Sequence, residues 1–185
     1  MAPHSKPPLC RSTAFVACIG ALLVVGCGGG AGDPNASGGA FIAFPRDFDG
    51  FRTWTSFDLG TDQTDGVTVT GTRRAYLNKL PPSGSTEFPV GTIVVKTIGE
   101  ELPMPGQTFA MAKRGAPFNA QGAIGWEWFE LVETAAAAPA IKWRGITPPA
   151  GETYAGIMGG ACNTCHAAGA ANDFVPSAEL SLDQF

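Results

Sequence analysis

The chain has 185 residues and carries 12 basic against 16 acidic side chains, a formal net charge of −4. That balance, with no basic stripe, argues against a nucleic-acid partner. Hydrophobic residues make up 44%, enough for a packed core in one domain of ordinary size, and 25 glycines with 15 prolines favour short strands and many turns over long helices.

The first segment reads as an export signal. Lys6 and Arg11 form a basic start, and no acidic residue precedes Asp33. Ala14 to Val25 is an apolar run of 12, the length of a signal-peptide core and too short to span a bilayer comfortably. It ends in Val24-Val25-Gly26-Cys27, which resembles the lipobox of bacterial lipoproteins, in which the cysteine becomes a lipidated N-terminus. The plainer alternative is an ordinary signal peptide cut further into the glycine-rich stretch. Gly28 to Ala40 cannot build a core and reads as a flexible tether. Gly28, where an aspartate would signal inner-membrane retention, points by the same resemblance to the outer membrane, and we expect its periplasmic face. The expected organisation is therefore a signal peptide over 1–26, a lipidated Cys27 with its tether over 27–40, and a folded domain over 41–185. Removal of the signal leaves 10 basic residues against 16 acidic, a net charge of −6.

Phe41 to Phe57 is aromatic-rich and broken by Pro45 and Gly50, with a short helix expected around Asp49 to Asp58. A strand-like pattern follows. Val67 to Gly71 alternates, and Arg74 to Leu77 is a short run ahead of a Pro81-Pro82-Ser83-Gly84 turn. Thr92 to Ile98 is β-branched and bounded by Gly91 and Gly99, a strong strand signal. Thr108 to Lys113, Trp126 to Val132 and Ile141 to Arg144 complete the series. The pattern predicts an α+β fold, mainly β: an antiparallel sheet with a few short helices, one of them near the C-terminus. Alternation puts Lys96 on one face with Val94 and Ile98, where the ordinary reading is a lysine on a solvated edge or one that snorkels past its neighbours. Trp126, Trp128 and Glu130 share one face of their strand, and Glu127, Phe129 and Leu131 share the other. Aromatic residues on both faces imply cover on both sides.

Five cysteines are present. Cys10 and Cys18 leave with the signal and Cys27 takes the lipid, so Cys162 and Cys165 remain. They stand in Cys162-Asn163-Thr164-Cys165-His166, the pattern of c-type haem attachment. Two thiols reach two vinyl groups on one porphyrin edge while the histidine reaches iron from one side. Positions i, i+3 and i+4 of a helix provide that common face, with Glu152 to Ala161 expected to supply the helix ahead of the motif. A disulfide between the pair, a thioredoxin-like redox motif and a zinc site are the rivals. Zinc needs about four ligands, and no strand–helix alternation surrounds the motif as a redox fold would require.

His4 leaves with the signal, so His166 is the one histidine of the mature chain and ligation by two histidines is excluded. Methionine often serves as the second axial ligand, but Met104, Met111 and Met158 all lie before the motif. The simplest inference is a five-coordinate iron, or one capped by a weak ligand, and an open position suits gas binding or catalysis better than electron transfer alone.

The sequence resembles the cytochrome P-460 family, which includes the cytochromes c′-beta. The resemblance is carried by Arg73-Arg74-Ala75-Tyr76-Leu77-Asn78, by Phe88-Pro89-Val90-Gly91-Thr92-Ile93-Val94-Val95-Lys96, by Gly125-Trp126-Glu127-Trp128-Phe129-Glu130, by the haem motif, and by Asn172-Asp173-Phe174-Val175 behind it. It implies a mostly antiparallel β fold, one covalently bound haem c with His166 proximal, a distal side open to nitric oxide, carbon monoxide or hydroxylamine, and homodimer formation in many members. In the cytochromes P-460 proper a lysine is also linked to the haem macrocycle, and these oxidise hydroxylamine with nitric oxide. Lys96 stands in the matching Pro-x-Gly-Thr-x-x-x-Lys context and is the candidate for that link. Such enzymes use a distal carboxylate, for which Glu127, Glu130 and Glu133 are available. Three functions are thus set against each other: a nitric-oxide-binding cytochrome, a hydroxylamine- or nitric-oxide-oxidising enzyme, and a periplasmic electron carrier with a partner cytochrome.

Overall fold

The structure is a computed structural model that describes residues 39–61, 71–99, 106–133, 138–154, 157–158 and 161–185. The export signal, Cys27, most of the tether, Met104 and the expected strand at 67–70 lie outside the described residues.

Six strands form one antiparallel sheet in sequence order: β1 Thr55–Asp58, β2 Arg73–Leu77, β3 Ile93–Ile98, β4 Gln107–Lys113, β5 Trp126–Val132 and β6 Ala140–Gly145. The strands predicted from β-branched and aromatic runs fall where the pattern places them, because each run is bounded by a glycine or proline turn that neighbouring strands can share. The fold is α+β and mainly β, with short helices at both ends of the domain.

Two segments depart from expectation. The helix expected around Asp49 to Asp58 is replaced by two single 3-10 turns, Pro45–Phe48 and Phe51–Thr53, followed by β1. Asp47 caps the first turn through the Phe44 amide at 2.7 Å, and Gly50 interrupts with φ +62, so no α-helix propagates. Within the stretch from Glu152 to Ala161, where a helix is expected, the described residues 152–154 and 157–158 are not helical, and 155–156 and 159–160 lie outside the described residues. The stretch holds a two-residue hairpin, β7 Thr153–Tyr154 with β8 Ile157–Met158, and the helix α1 begins only at Ala161 and ends at His166. Thr153, Tyr154 and Ile157 are β-branched or aromatic residues, types that favour extended backbone.

Both faces of the sheet are covered, as the aromatic pattern of β5 implies. On one face Phe48, Phe51 and Ala43 pack against Tyr76, Val95, Ala110 and Phe129, with Phe48 edge-on to Phe129 at 5.3 Å between centroids. On the other, Leu77, Val94, Phe109, Met111, Trp126, Trp128 and Trp143 meet the chain that follows α1. There Val175, Leu180 and Leu182 are buried, and Phe185 closes edge-on against Phe57 and Phe88 at 6.2 and 6.5 Å. The chain after the helix consists of the 3-10 turns Ala167–Asn172, Ala178–Leu180 and Leu182–Gln184. Among the described residues no helix is long and apolar enough to cross a membrane.

Candidate functional site

Helix α1 is barely a turn and a half, yet it sets Cys162, Cys165 and His166 on one face, and all three line the same cavity of about 600 Å³. That volume falls within the roughly 300–1,000 Å³ of ordinary ligand pockets. The sheet contributes Lys96, Phe109, Met111, Trp128 and Trp143, and Pro176 to Glu179 line it as well. Cys162 is half-buried and Cys165 is exposed, and both thiols are free.

The helix is docked by its own second motif residue. The Asn163 side-chain oxygen accepts from Asn119 Nδ2 at 2.8 Å, from the Ala123 amide at 3.2 Å and from Trp128 Nε1 at 3.0 Å. Its nitrogen donates to Asn119 Oδ1 at 3.2 Å and to the Ile146 carbonyl at 3.1 Å. The approach is so close that a β-carbon on Gly122 would collide with the Asn163 amide. Nothing in the Cys-x-x-Cys-His pattern signals this role, because the residue between the cysteines is free in that pattern.

His166 places Nδ1 2.6 Å from the Phe174 carbonyl. A carbonyl can only accept, so Nδ1 carries the hydrogen and Nε2 keeps its lone pair. This is the orienting bond that metal-ligating histidines commonly make. The Trp128 ring stands against the imidazole with centroids 4.5 Å apart. Burial pushes the His166 pKa down to about 4, and the Phe174 bond that opposes this is outweighed, with Lys96 adding to the depression. The ring is therefore neutral at physiological pH, the form that binds a metal.

Burial raises the Cys162 thiol to about 11. Redox-active Cys-x-x-Cys thiols are activated by a lowered pKa, so the shift speaks against the thioredoxin-like reading. Among the described residues no group of three or more His, Cys, Asp or Glu side chains is arranged to hold a bare metal ion.

Lys96 does not lie on a solvated edge. It is half-buried on β3, opposite Ala75 and Phe109, and it faces the cavity. Its charge reaches both Cys162 and His166. Arg73, on the same face of β2, is buried and lines the cavity as well. Met111, one of the methionines before the motif, is buried on this wall opposite Val94 and Trp128.

The three glutamates considered for acid–base work separate cleanly. Glu127 points to the opposite face, where Arg144 grips it through bonds of 2.7 and 2.6 Å and Arg114 adds one of 3.3 Å. Glu133 ends β5 in contact with Arg52 and Thr108. Glu130 alone of the three shares the cavity face. It accepts from Trp143 Nε1 at 2.7 Å and from Lys142 Nζ at 3.1 Å. A bulge between β5 and β6 allows this, since Glu130 stands opposite Trp143 while Leu131 stands opposite Ile141, which leaves Lys142 as the extra residue.

The donor set fits a haem. Two thiols and a neutral imidazole share one helical face, the opposing wall is aromatic and apolar, and two cationic side chains lie on it. No protein-family model, curated protein or solved structure matches this chain.

Proposed function

We propose that this chain is an exported mono-haem c-type cytochrome with an open distal site for small nitrogen-oxide ligands such as nitric oxide. One observation carries the reading: Cys162, Cys165 and His166 line a single cavity, with His166 Nδ1 tied back to a carbonyl so that Nε2 is the nitrogen left for iron. Cys162 and Cys165 would form the thioethers and His166 the axial bond, and the haem would supply the iron that binds the diatomic ligand. Trp128 fixes the imidazole by contact, and Phe109 and Trp143 keep the cavity wall apolar. Arg73 and Lys96 offer positive charge to the carboxylates that a haem carries. The resemblance to the cytochrome P-460 family supports the same reading, and the lipobox-like sequence supports anchorage by Cys27 to the outer membrane, facing the periplasm.

A second reading is favoured by the place of Lys96 on the cavity wall: an enzyme that oxidises hydroxylamine or nitric oxide, with Lys96 linked to the haem and Glu130, bonded to the cavity-lining Trp143, as the one of the three glutamates on that face of the sheet. A periplasmic electron carrier ranks third, because nothing on the cavity wall favours it over ligand binding.

The test is the optical spectrum of the reduced protein, made with haem-attachment machinery and without the lipid. A ferrous high-spin spectrum that changes on adding carbon monoxide or nitric oxide is expected. A strongly red-shifted Soret band would transfer the assignment to the lysine-linked enzyme. A low-spin, six-coordinate spectrum that resists carbon monoxide would sink the open-site reading and turn attention to Met111.

A further inference from the structure

Seven residues after His166, Asp173 is buried and held from three directions. Its Oδ1 accepts from Lys113 Nζ at 2.6 Å, its Oδ2 from the Phe88 amide at 2.9 Å, and its carbonyl from Trp126 Nε1 at 2.8 Å. These donors come from the end of β4, the loop before β3 and the start of β5. Lys113 is itself buried, donates to the Ile124 carbonyl at 3.3 Å and lies over the Trp126 ring at 5.3 Å.

The backbone at this point is unusual. Asp173 and Phe174 both adopt the left-handed region, with φ of +51 and +64. A bulky residue such as phenylalanine avoids that region unless its surroundings enforce it. The Phe174 amide donates to Gly169 at 2.8 Å, closing the turn from below. The turn delivers the Phe174 carbonyl to His166 Nδ1.

We infer that Asp173, clamped by Lys113, is a positioning residue for His166: it enforces the left-handed turn that aims the Phe174 carbonyl at Nδ1, and so sets the ring tautomer and the donor strength of Nε2. Its bearing on iron rests on the haem reading, whereas its bearing on the tautomer is a property of the chain alone. A firmer hydrogen bond at Nδ1 makes the imidazole a more basic ligand, which favours ferric over ferrous iron.

Two readouts test this on the full-length chain. The first is the ring-nitrogen NMR of ¹⁵N-histidine-labelled protein made without haem, with a His4→Gln change to leave one histidine signal. The wild type is expected to show the Nδ1–H tautomer, and Asp173→Ala a mixture. The second is the ferrous iron–histidine stretching band and the reduction potential of the haem-loaded protein. In Asp173→Ala the band should move to lower frequency and the potential should rise. Asp173→Asn turns one of the two accepting oxygens into an NH2 donor, so either Lys113 or the Phe88 amide loses its present acceptor, and it should show a smaller shift in the same direction. An Nε2–H tautomer in the wild type overturns the inference. So does an unmoved band in Asp173→Ala with an unchanged circular dichroism spectrum. Where Asp173→Ala does not fold, an unmoved band in Asp173→Asn overturns it equally. A wild type that takes up no covalent haem would count against the proposed function, and the tautomer measurement would still decide this inference.

Discussion

The side-chain oxygen of Asn163 accepts the indole hydrogen of Trp128 at 3.0 Å, while the Trp128 ring leans on His166 with centroids 4.5 Å apart. One residue of the Cys-x-x-Cys-His motif thus holds the side chain that steadies another. Asn163→Ala would strip the acceptor from Asn119, the Ala123 amide and Trp128 at once. The cost should be about 3 kcal/mol, since three partly buried donors lose this acceptor, read as a lower denaturant midpoint. The yield of covalent haem should fall with it. An unchanged midpoint would show that the helix is docked by other means.

Glu127 serves the opposite face. Buried and bonded to Arg144 and Arg114, it ties β5 to β4 and β6 away from the cavity. Glu127→Ala removes one partner of a buried ion pair and should destabilise the fold by about 3 kcal/mol. The carbon monoxide difference spectrum of the folded fraction should stay as in the wild type. A changed spectrum would mean that the two faces of the sheet communicate.

Glu133 gives a pH dependence. Its partial burial raises the pKa, but the hydrogen bond and charge of Arg52 and the bond from Thr108 outweigh this, so the carboxyl titrates below its ordinary 4.5. A depressed folded pKa means that the native state binds fewer protons than the unfolded chain. The stabilisation is therefore present above pH 4.5 and is lost as the pH falls through the folded value. Thermal unfolding of the wild type and Glu133→Gln should differ at pH 7 and converge in acid. A gap that persists in acid would rule out this linkage.

Cys162→Ala combined with Cys165→Ala should abolish covalent haem, so that acidified solvent extracts all colour from the protein. Colour that stays with the polypeptide when Lys96→Leu is added to the double variant would refute the thioether assignment.

Lys96 distinguishes the two leading functions. If the cavity only binds gas, Lys96→Leu should keep the haem content and Soret position of the wild type and change carbon monoxide affinity by less than about tenfold, roughly 1.4 kcal/mol. A Soret band that returns from the red to an ordinary position, together with loss of hydroxylamine oxidation, would establish the lysine-linked enzyme instead.

Elements whose signal is local were legible in the residues alone. Alternation in Trp126–Val132 fixed which side chains share a face, the bounded run at Ile93–Ile98 marked a strand, and the spacing of Cys162, Cys165 and His166 put two thiols and an imidazole on one helical face. Around Gly50 the local reading failed because a left-handed glycine broke the expected helix, and at Thr153–Tyr154 and Ile157–Met158 strand pairing stands where a helix was expected. Only the tertiary structure decided how the site is built around that motif. Lys113 meets Asp173 across 60 positions of chain, Asn119 meets Asn163 across 44 and Trp128 meets Asn163 across 35. Such pairings depend on the sheet register and on the path of the chain after α1, and no periodicity records them. For the same reason alternation placed Lys96 and Glu130 on definite faces of their strands, but only the packing of the C-terminal turns over one of those faces made it the wall of a cavity.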